Sequence, residues 1–101
     1  MKIPEHLSEQ SREWFKRIVA EFELGDADLL VLQAAAEAWD RTQQARAILA
    51  TEGITFIDNR KAIRPHPAVQ IESTNRTLFA RLVRDLNLPT PADLVEAKHG
   101  F

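Results

Sequence analysis

Apolar residues recur at helical spacing in the first quarter of the chain. They stand three or four positions apart, at Trp14, Phe15, Ile18, Val19 and Phe22. This spacing predicts an amphipathic helix with one buried face. The helix should begin near Ser8 or Ser11, because serine is a good N-cap. It should end at Leu24-Gly25, where glycine can adopt the left-handed conformation of a helix cap.

A second helical pattern runs from a cap at Asp26 to about Glu52. Its apolar stripe is formed by Leu29, Leu32, Ala36 and Trp39. At a rise of about 1.5 Å per residue, this helix should be about 40 Å long, which is long for so short a chain. We expect it either to kink or to pack partly against a second copy of the chain. The small side chains of Ala35 and Ala38 would lie in that interface.

The pattern then changes to that of a β-hairpin. Residues 54–57 are β-branched or aromatic and predict a strand, Asp58-Asn59 is a turn signal, and residues 61–64 can return as a second strand. A third helix should run from about Pro67 to Leu86, because proline fits the first helical position. Thr90-Pro91 predicts the start of a short fourth helix that ends near Ala97.

These elements predict a mainly α fold with three principal helices, a short C-terminal helix and one small β-hairpin between the second and third helices. At 101 residues the chain should form a single domain over residues 1–101. Residues 1–7 and 98–101 are expected to be frayed ends.

Charge is distributed unevenly along the chain, although the formal net charge is only −2. Residues 1–53 carry a net charge of −4, whereas residues 54–88 carry +3. An acidic first half joined to a basic second half suggests self-association between unlike surfaces or an anionic partner for the basic half. Scatter in a short sequence is the plainer interpretation, and it has about equal weight.

Catalytic and cofactor motifs find little support in the sequence. The chain has no cysteine, and His6, His66 and His99 lack the spacing of metal ligands. Its three glycines form no phosphate-binding or dinucleotide-binding loop. We therefore expect no catalytic residues, no metal and no cofactor. No apolar run approaches the roughly 20 residues that span a bilayer, so we expect no membrane association.

Two groups of cations could contact phosphates, which proteins bind mainly through lysine and arginine. The first group lies on the hairpin and comprises Arg60, Lys61 and Arg64. The second lies on the first helix and comprises Arg12, Lys16 and Arg17, with glutamates between them. The alternative for the hairpin group is a solvated tip. The third helix contributes Arg76, Arg81 and Arg84, which could pair instead with Glu37 or Asp40 of a neighbouring copy.

Trp14, Trp39 and His66 are better explained by structural roles than by ligand binding. Both tryptophans fall on apolar stripes, which favours core anchors over ligand-stacking residues. His66 lies between Pro65 and Pro67, where the chain must turn from the hairpin into the third helix.

The order and spacing of several short motifs resemble the small subunit of tailed-phage DNA-packaging terminases, in its ring-forming group. The similarity covers roughly residues 4–95. It is carried by Trp14 with Ile18-Val19, Leu24-Gly25 before Asp26, the helix from Asp28 to Trp39, Ala47-Ile48-Leu49 before Glu52-Gly53, the hairpin, His66-Pro67-Ala68, Leu78, Leu82 and Asn87-Leu88-Pro89-Thr90-Pro91.

This resemblance implies a non-catalytic component that recognises viral DNA and helps a large terminase subunit, which is an ATPase and nuclease, to package the genome. It implies three partners: duplex DNA, the large subunit and further copies of the chain, arranged as a ring. The expected location is the cytoplasm of the infected or lysogenic bacterial host. A helical protein–protein adaptor that regulates a partner without touching DNA is the alternative, and an enzyme comes third.

Overall fold

The computed structural model of the protein describes residues 2–88, so the helix expected near residues 90–97 lies outside the described residues. Three helices and two strands follow one another: α1 (Glu9–Glu21), α2 (Asp26–Glu52), β1 (Thr55–Ile57), β2 (Ile63–Pro65) and α3 (Pro67–Leu86). The mainly helical fold with a hairpin between the second and third helices is therefore confirmed.

Helix α1 begins as expected but ends early. Ser8 is its N-cap, and the Ser8 hydroxyl accepts a hydrogen bond from the backbone N–H of Ser11 at 3.1 Å. The helix stops at Glu21 because Phe22 turns into extended backbone, and Phe22 and Leu24 then pack against the core. Gly25 does not cap α1; it is the N-cap of α2.

Helix α2 is a single helix of 27 residues, and α3 packs along it more extensively than α1 does. The most deeply buried residues of α2 are small or medium in size: Leu32, Ala35, Ala36, Ala38, Thr42 and Ala45. Small side chains let neighbouring helices approach closely, so the alanine-rich stretch serves packing within the chain.

The core lies at the end of the molecule where the N-terminal half of α2 meets α1 and the end of α3. It is formed by Leu7, Phe15, Ile18, Leu32, Ala36 and Leu86. Leu7 belongs to the segment expected to fray, yet its side chain is only 5% exposed. Helix α3 ends at Leu86, and Asn87, which has a left-handed backbone (φ 52°), is its C-cap.

The hairpin projects from the opposite end of α2. Its strands are antiparallel, and Ile57 pairs with Ile63 while Phe56 pairs with Arg64. All six strand residues are exposed. A two-stranded sheet is marginally stable by itself in water, so hydrogen bonds at its tip and base must hold it.

Candidate functional site

The tip of the hairpin is organised by one carboxylate. Asp58 Oδ1 accepts hydrogen bonds from the backbone N–H groups of Arg60 and Ala62, each at 2.9 Å. Asp58 Oδ2 accepts a third bond from Arg64 Nε at 3.0 Å. The Ala62 N–H, followed by the Arg64 guanidinium, lowers the pKa of Asp58 below the usual aspartate range. The charged carboxylate thus fixes the shape of the turn.

Arg60 and Lys61 extend from this turn into solvent. Lys61 has a left-handed backbone with φ 63°, which few residues other than glycine, asparagine and aspartate adopt readily. Within residues 2–88 neither side chain makes an ion pair, whereas Arg64 is paired with Asp58. Of the three hairpin cations expected from the sequence, two are therefore unpaired in this part of the chain.

The base of the hairpin is held by His66, which also starts α3. His66 Nδ1 accepts a hydrogen bond from the backbone N–H of Ala68 at 3.0 Å, and Nε2 lies 3.0 Å from Glu52 Oε1. An accepting Nδ1 requires the proton on Nε2, which then donates to Glu52. The His66 backbone N–H also donates to Ile54 O at 2.8 Å. The structural role expected for His66 is confirmed.

The cations of α1 lie apart from those of the hairpin. Arg12, Lys16 and Arg17 are all exposed, and Arg12 and Lys16 border a shallow recess that Glu9 and Glu13 share. The start of α1 is hydrogen-bonded to Asp40, 12 residues before the end of α2. At about 1.5 Å per residue the two basic groups stand about 20 Å apart along α2.

The hydrogen bonds that hold the start of α1 form a partly exposed and partly charged network. Asp40 accepts hydrogen bonds from Ser8 N at 2.7 Å, Ser8 Oγ at 2.5 Å and Ser11 Oγ at 2.6 Å, and His6 Nε2 lies 2.6 Å from Glu37 Oε2. Burial raises the pKa of Asp40, but the hydrogen bonds from Ser11 and Ser8 outweigh it and the pKa is lowered overall. Burial also raises the pKa of Glu37, but the hydrogen bonds with His6 and Gln33 outweigh it, so this pKa is lowered as well.

Glu37 and Asp40, suggested above as partners for arginines of another copy, are thus engaged within the chain. Arg76 is engaged as well, because its Nε lies 3.3 Å from Glu72 Oε1. Arg81 and Arg84 are exposed and make no ion pair within residues 2–88.

Two alanines of α2 that were assigned to an interface between copies lie inside the chain. Ala35 and Ala38 are both 0% exposed. A second copy cannot reach a side chain that is already fully covered, so these two positions contribute to the packing of one chain. The surface available to a second copy must lie elsewhere.

Three aromatic rings line a cleft between the helices. Phe79 of α3 lies 5.6 Å from Trp14 and 5.0 Å from Trp39 between ring centroids. The cleft measures about 430 Å³ and is also lined by Gln10, Ser11, Glu13 and Arg17. Both tryptophans are half-buried, so they anchor the helices and present apolar surface at the same time.

A charged bridge closes the other side of Trp39. Arg46 Nε lies 2.9 Å from Glu72 Oε2, and the guanidinium carbon of Arg46 lies 5.5 Å from the centroid of the Trp39 ring. First the Arg46 bond and then the Arg76 bond lower the pKa of Glu72. Sequence reasoning missed this bridge, because Arg46 and Glu72 lie 26 residues apart with no local motif between them.

Two further classes of site are absent from the described part of the chain. In residues 2–88 no three histidine, aspartate or glutamate side chains are grouped so that they could hold a metal ion. None of the helices there has the length and apolar character needed to cross a membrane.

Comparison with protein families gives one match. Residues 11–96 match the sequence model of a family described as phage terminase, small subunit. No curated protein and no solved structure shows a significant match. The family match spans α1, α2, the hairpin and α3.

Proposed function

We propose that this chain, which belongs to the phage terminase small-subunit family, recognises viral DNA and helps the large terminase subunit to package the genome. The family match over residues 11–96 carries this proposal. In that role the chain is the non-catalytic component, and chemistry on DNA and ATP belongs to the large subunit. It would act in the cytoplasm of the infected or lysogenic bacterial host.

The hairpin tip is the surface we propose for the first contact with duplex DNA. Arg60 and Lys61 are exposed, unpaired within residues 2–88, and held on a turn that Asp58 organises. A fixed turn loses less conformational entropy on binding than a mobile loop. Arg64 ranks after these two as a DNA contact, because its Nε already donates a hydrogen bond to Asp58. Arg12, Lys16 and Arg17 form a second, separate group of candidate contacts.

Few phosphate contacts per subunit are enough if several subunits act together. We propose that the chain forms a homo-oligomer, a ring in the simplest case, and that each copy adds its hairpin cations to one DNA molecule. Linked weak contacts then raise the overall affinity without any new contact. The net charge of −2 agrees with this design, because an isolated acidic chain would bind DNA weakly.

The test is a triple substitution of Arg60, Lys61 and Arg64 to alanine, measured on cognate and random duplexes at two salt concentrations. Each lost phosphate contact should weaken binding on both duplexes and reduce the salt slope by about one. A comparison variant removes the same charge from α1 through Arg12, Lys16 and Arg17, the second candidate group, and should weaken binding less than the hairpin variant does. Unchanged affinity and slope in the hairpin variant would remove the hairpin from the DNA surface.

One observation favours the alternative, a protein–protein adaptor. The cleft between Trp14, Trp39 and Phe79 presents half-buried aromatic surface of the kind that anchors binding partners. An adaptor of this kind would show no binding to duplex DNA with the steep salt dependence that phosphate contacts impose. The salt titration of the native chain therefore separates the two functions.

A further inference from the structure

Exposed large apolar side chains are concentrated at one place on the described chain, and a single further one stands far from it. Seven of the eight large hydrophobic residues that are exposed fall between residues 48 and 71, and the most exposed of these are Ile54, Ile57 and Ile63, at 66–74%. The eighth is Leu30, 70% exposed, near the start of α2. The two places lie near opposite ends of α2, about 30 Å apart at 1.5 Å per residue.

The two apolar places carry opposite charge. Around the hairpin, Arg60 and Lys61 are unpaired within residues 2–88. Around Leu30, the acids are Glu21, Glu23, Asp26 and Asp28, and the sequence holds no lysine or arginine between residues 18 and 40. Asp26 stands one helical turn before Leu30, so both occupy the same side of α2. We call these surfaces the hairpin face (Ile57, Ile63, Arg60 and Lys61) and the acidic corner (Glu21, Glu23, Asp26 and Leu30).

We propose that the hairpin face of one copy docks on the acidic corner of the next. The proposal rests on the self-association included in the proposed function, and it names the two surfaces. Burial of the Ile57–Ile63 pair would support a hairpin that is marginal by itself. Opposite charges at the rim of the contact would orient the two copies.

Such a contact joins two different surfaces, so every copy keeps one hairpin face and one acidic corner for further partners. A contact of this head-to-tail kind closes into a ring when the rotation between copies allows it, and otherwise extends as a filament. Arg60 and Lys61 lie in the turn beyond the Ile57–Ile63 pair, so they stand at the rim of the contact and not at its centre.

The test uses two full-length variants and no DNA. The hairpin variant carries Ile57→Ser and Ile63→Ser, and the corner variant carries Asp26→Lys and Leu30→Gln. Each should raise the dissociation constant for self-association at least about tenfold, the effect of about 1.4 kcal/mol of lost contact energy. The charge-matched control, Glu13→Lys, reverses an exposed acid outside both surfaces and should leave the mass of the assembly unchanged. Circular dichroism checks that both variants keep their helices.

Mixing the two variants provides the decisive measurement by analytical ultracentrifugation. The hairpin variant keeps its acidic corner and the corner variant keeps its hairpin face, so the mixture should form a one-to-one heterodimer although neither variant assembles alone. A corner variant that still self-associates would overturn the proposal in favour of hairpin-to-hairpin contact. A native chain that remains monomeric at high micromolar concentration would overturn it as well.

The outcome is independent of DNA recognition. If the heterodimer forms while the native chain fails to bind DNA, the proposed interface is supported and the proposed DNA role is contradicted. If DNA binds with a steep salt dependence while the mixture stays monomeric, the interface falls and the DNA role stands.

Discussion

At the scale of single residues, Asp40 holds the first helix in place. It is the common acceptor for Ser8 N, Ser8 Oγ and Ser11 Oγ, and Ser11 is 1% exposed. Replacing Asp40 with alanine removes all three bonds and leaves the buried Ser11 hydroxyl with only a long contact to Ala36 O at 3.4 Å.

We expect Asp40→Ala to lower the free energy of unfolding by about 2–3 kcal/mol, since hydrogen bonds to charged groups are stronger than neutral ones. Urea denaturation would measure the loss. Ser11→Ala is the control and should cost about 1 kcal/mol, because the serine and its hydrogen bond are removed together. A loss below 0.5 kcal/mol for Asp40→Ala, roughly the range of a plain surface substitution, would contradict this role.

The same residue gives the chain a dependence on pH. A carboxyl whose pKa is lowered by folding stabilises the protein above its ordinary pKa and loses that contribution as pH falls through the folded-state value. Asp40 and Glu37 both have lowered pKa values. We therefore expect stability to fall as pH decreases below about 4. Unfolding curves from pH 6 to pH 2 should be flatter for Asp40→Asn than for the native chain.

The aromatic trio makes a second prediction at this scale. A fully buried tryptophan would cost about 3–5 kcal/mol on truncation, but Trp39 is half-buried, so we expect Trp39→Ala to cost about 2 kcal/mol. Phe79 touches both tryptophans, so Phe79→Ala should cost more. Phe79→Leu, which keeps most of the apolar volume, separates packing from ring contacts. If all three variants were as stable as the native chain, the cleft would be unimportant for folding.

At the scale of elements, His66 is the N-cap that separates the hairpin from α3. Its Nδ1 satisfies the first free N–H of the helix, and its Nε2 reaches Glu52 at the end of α2. We expect His66→Ala to cost about 1 kcal/mol and His66→Asn to retain most of that, because asparagine is among the best N-caps. Thermal unfolding measures both. Equal losses for alanine and asparagine would show that the Glu52 contact matters more than the cap.

Local sequence signals were enough to predict most of the elements. Pro67 occupies the first position of α3 as expected, and α2 and α3 end at Glu52 and Leu86 as predicted. The end of α1 could not be predicted in this way. Phe22 and Leu24 leave the helix to reach the core, and that gain depends on residues distant in the sequence.

The candidate site shows the same division between local and distant signals. The turn residues Asp58 and Asn59 predicted the hairpin turn that carries Arg60. Lys61 was expected to begin the second strand, but its backbone is left-handed and the strand begins only at Ile63. The pairing of Arg76 with Glu72 was missed, although the two lie one helical turn apart. That spacing is a recognised signal for ion pairs on helices. The long-range partners of Asp40 had no such signal.

At the scale of the whole molecule, the distribution of exposed apolar surface argues against an isolated chain. The three hydrophobic side chains that are most exposed on the hairpin would all contact water in a monomer. We expect light scattering at high micromolar concentration to give a mass that is a multiple of 11.5 kDa. A stable mass of 11.5 kDa would contradict self-association and leave the hairpin to another partner.

Because Lys61 has a left-handed backbone, its charged side chain can be removed with almost no loss of stability. Glycine would relieve about 1–2 kcal/mol of steric strain at that φ, while its greater freedom in the unfolded chain costs about 0.5–1 kcal/mol. Lys61→Gly should therefore leave the stability almost unchanged while it deletes one cation. This chain keeps a long basic side chain where the backbone alone would favour the smallest residue. Lys61→Gly therefore separates what the charge at position 61 contributes to partner binding from what the position contributes to folding.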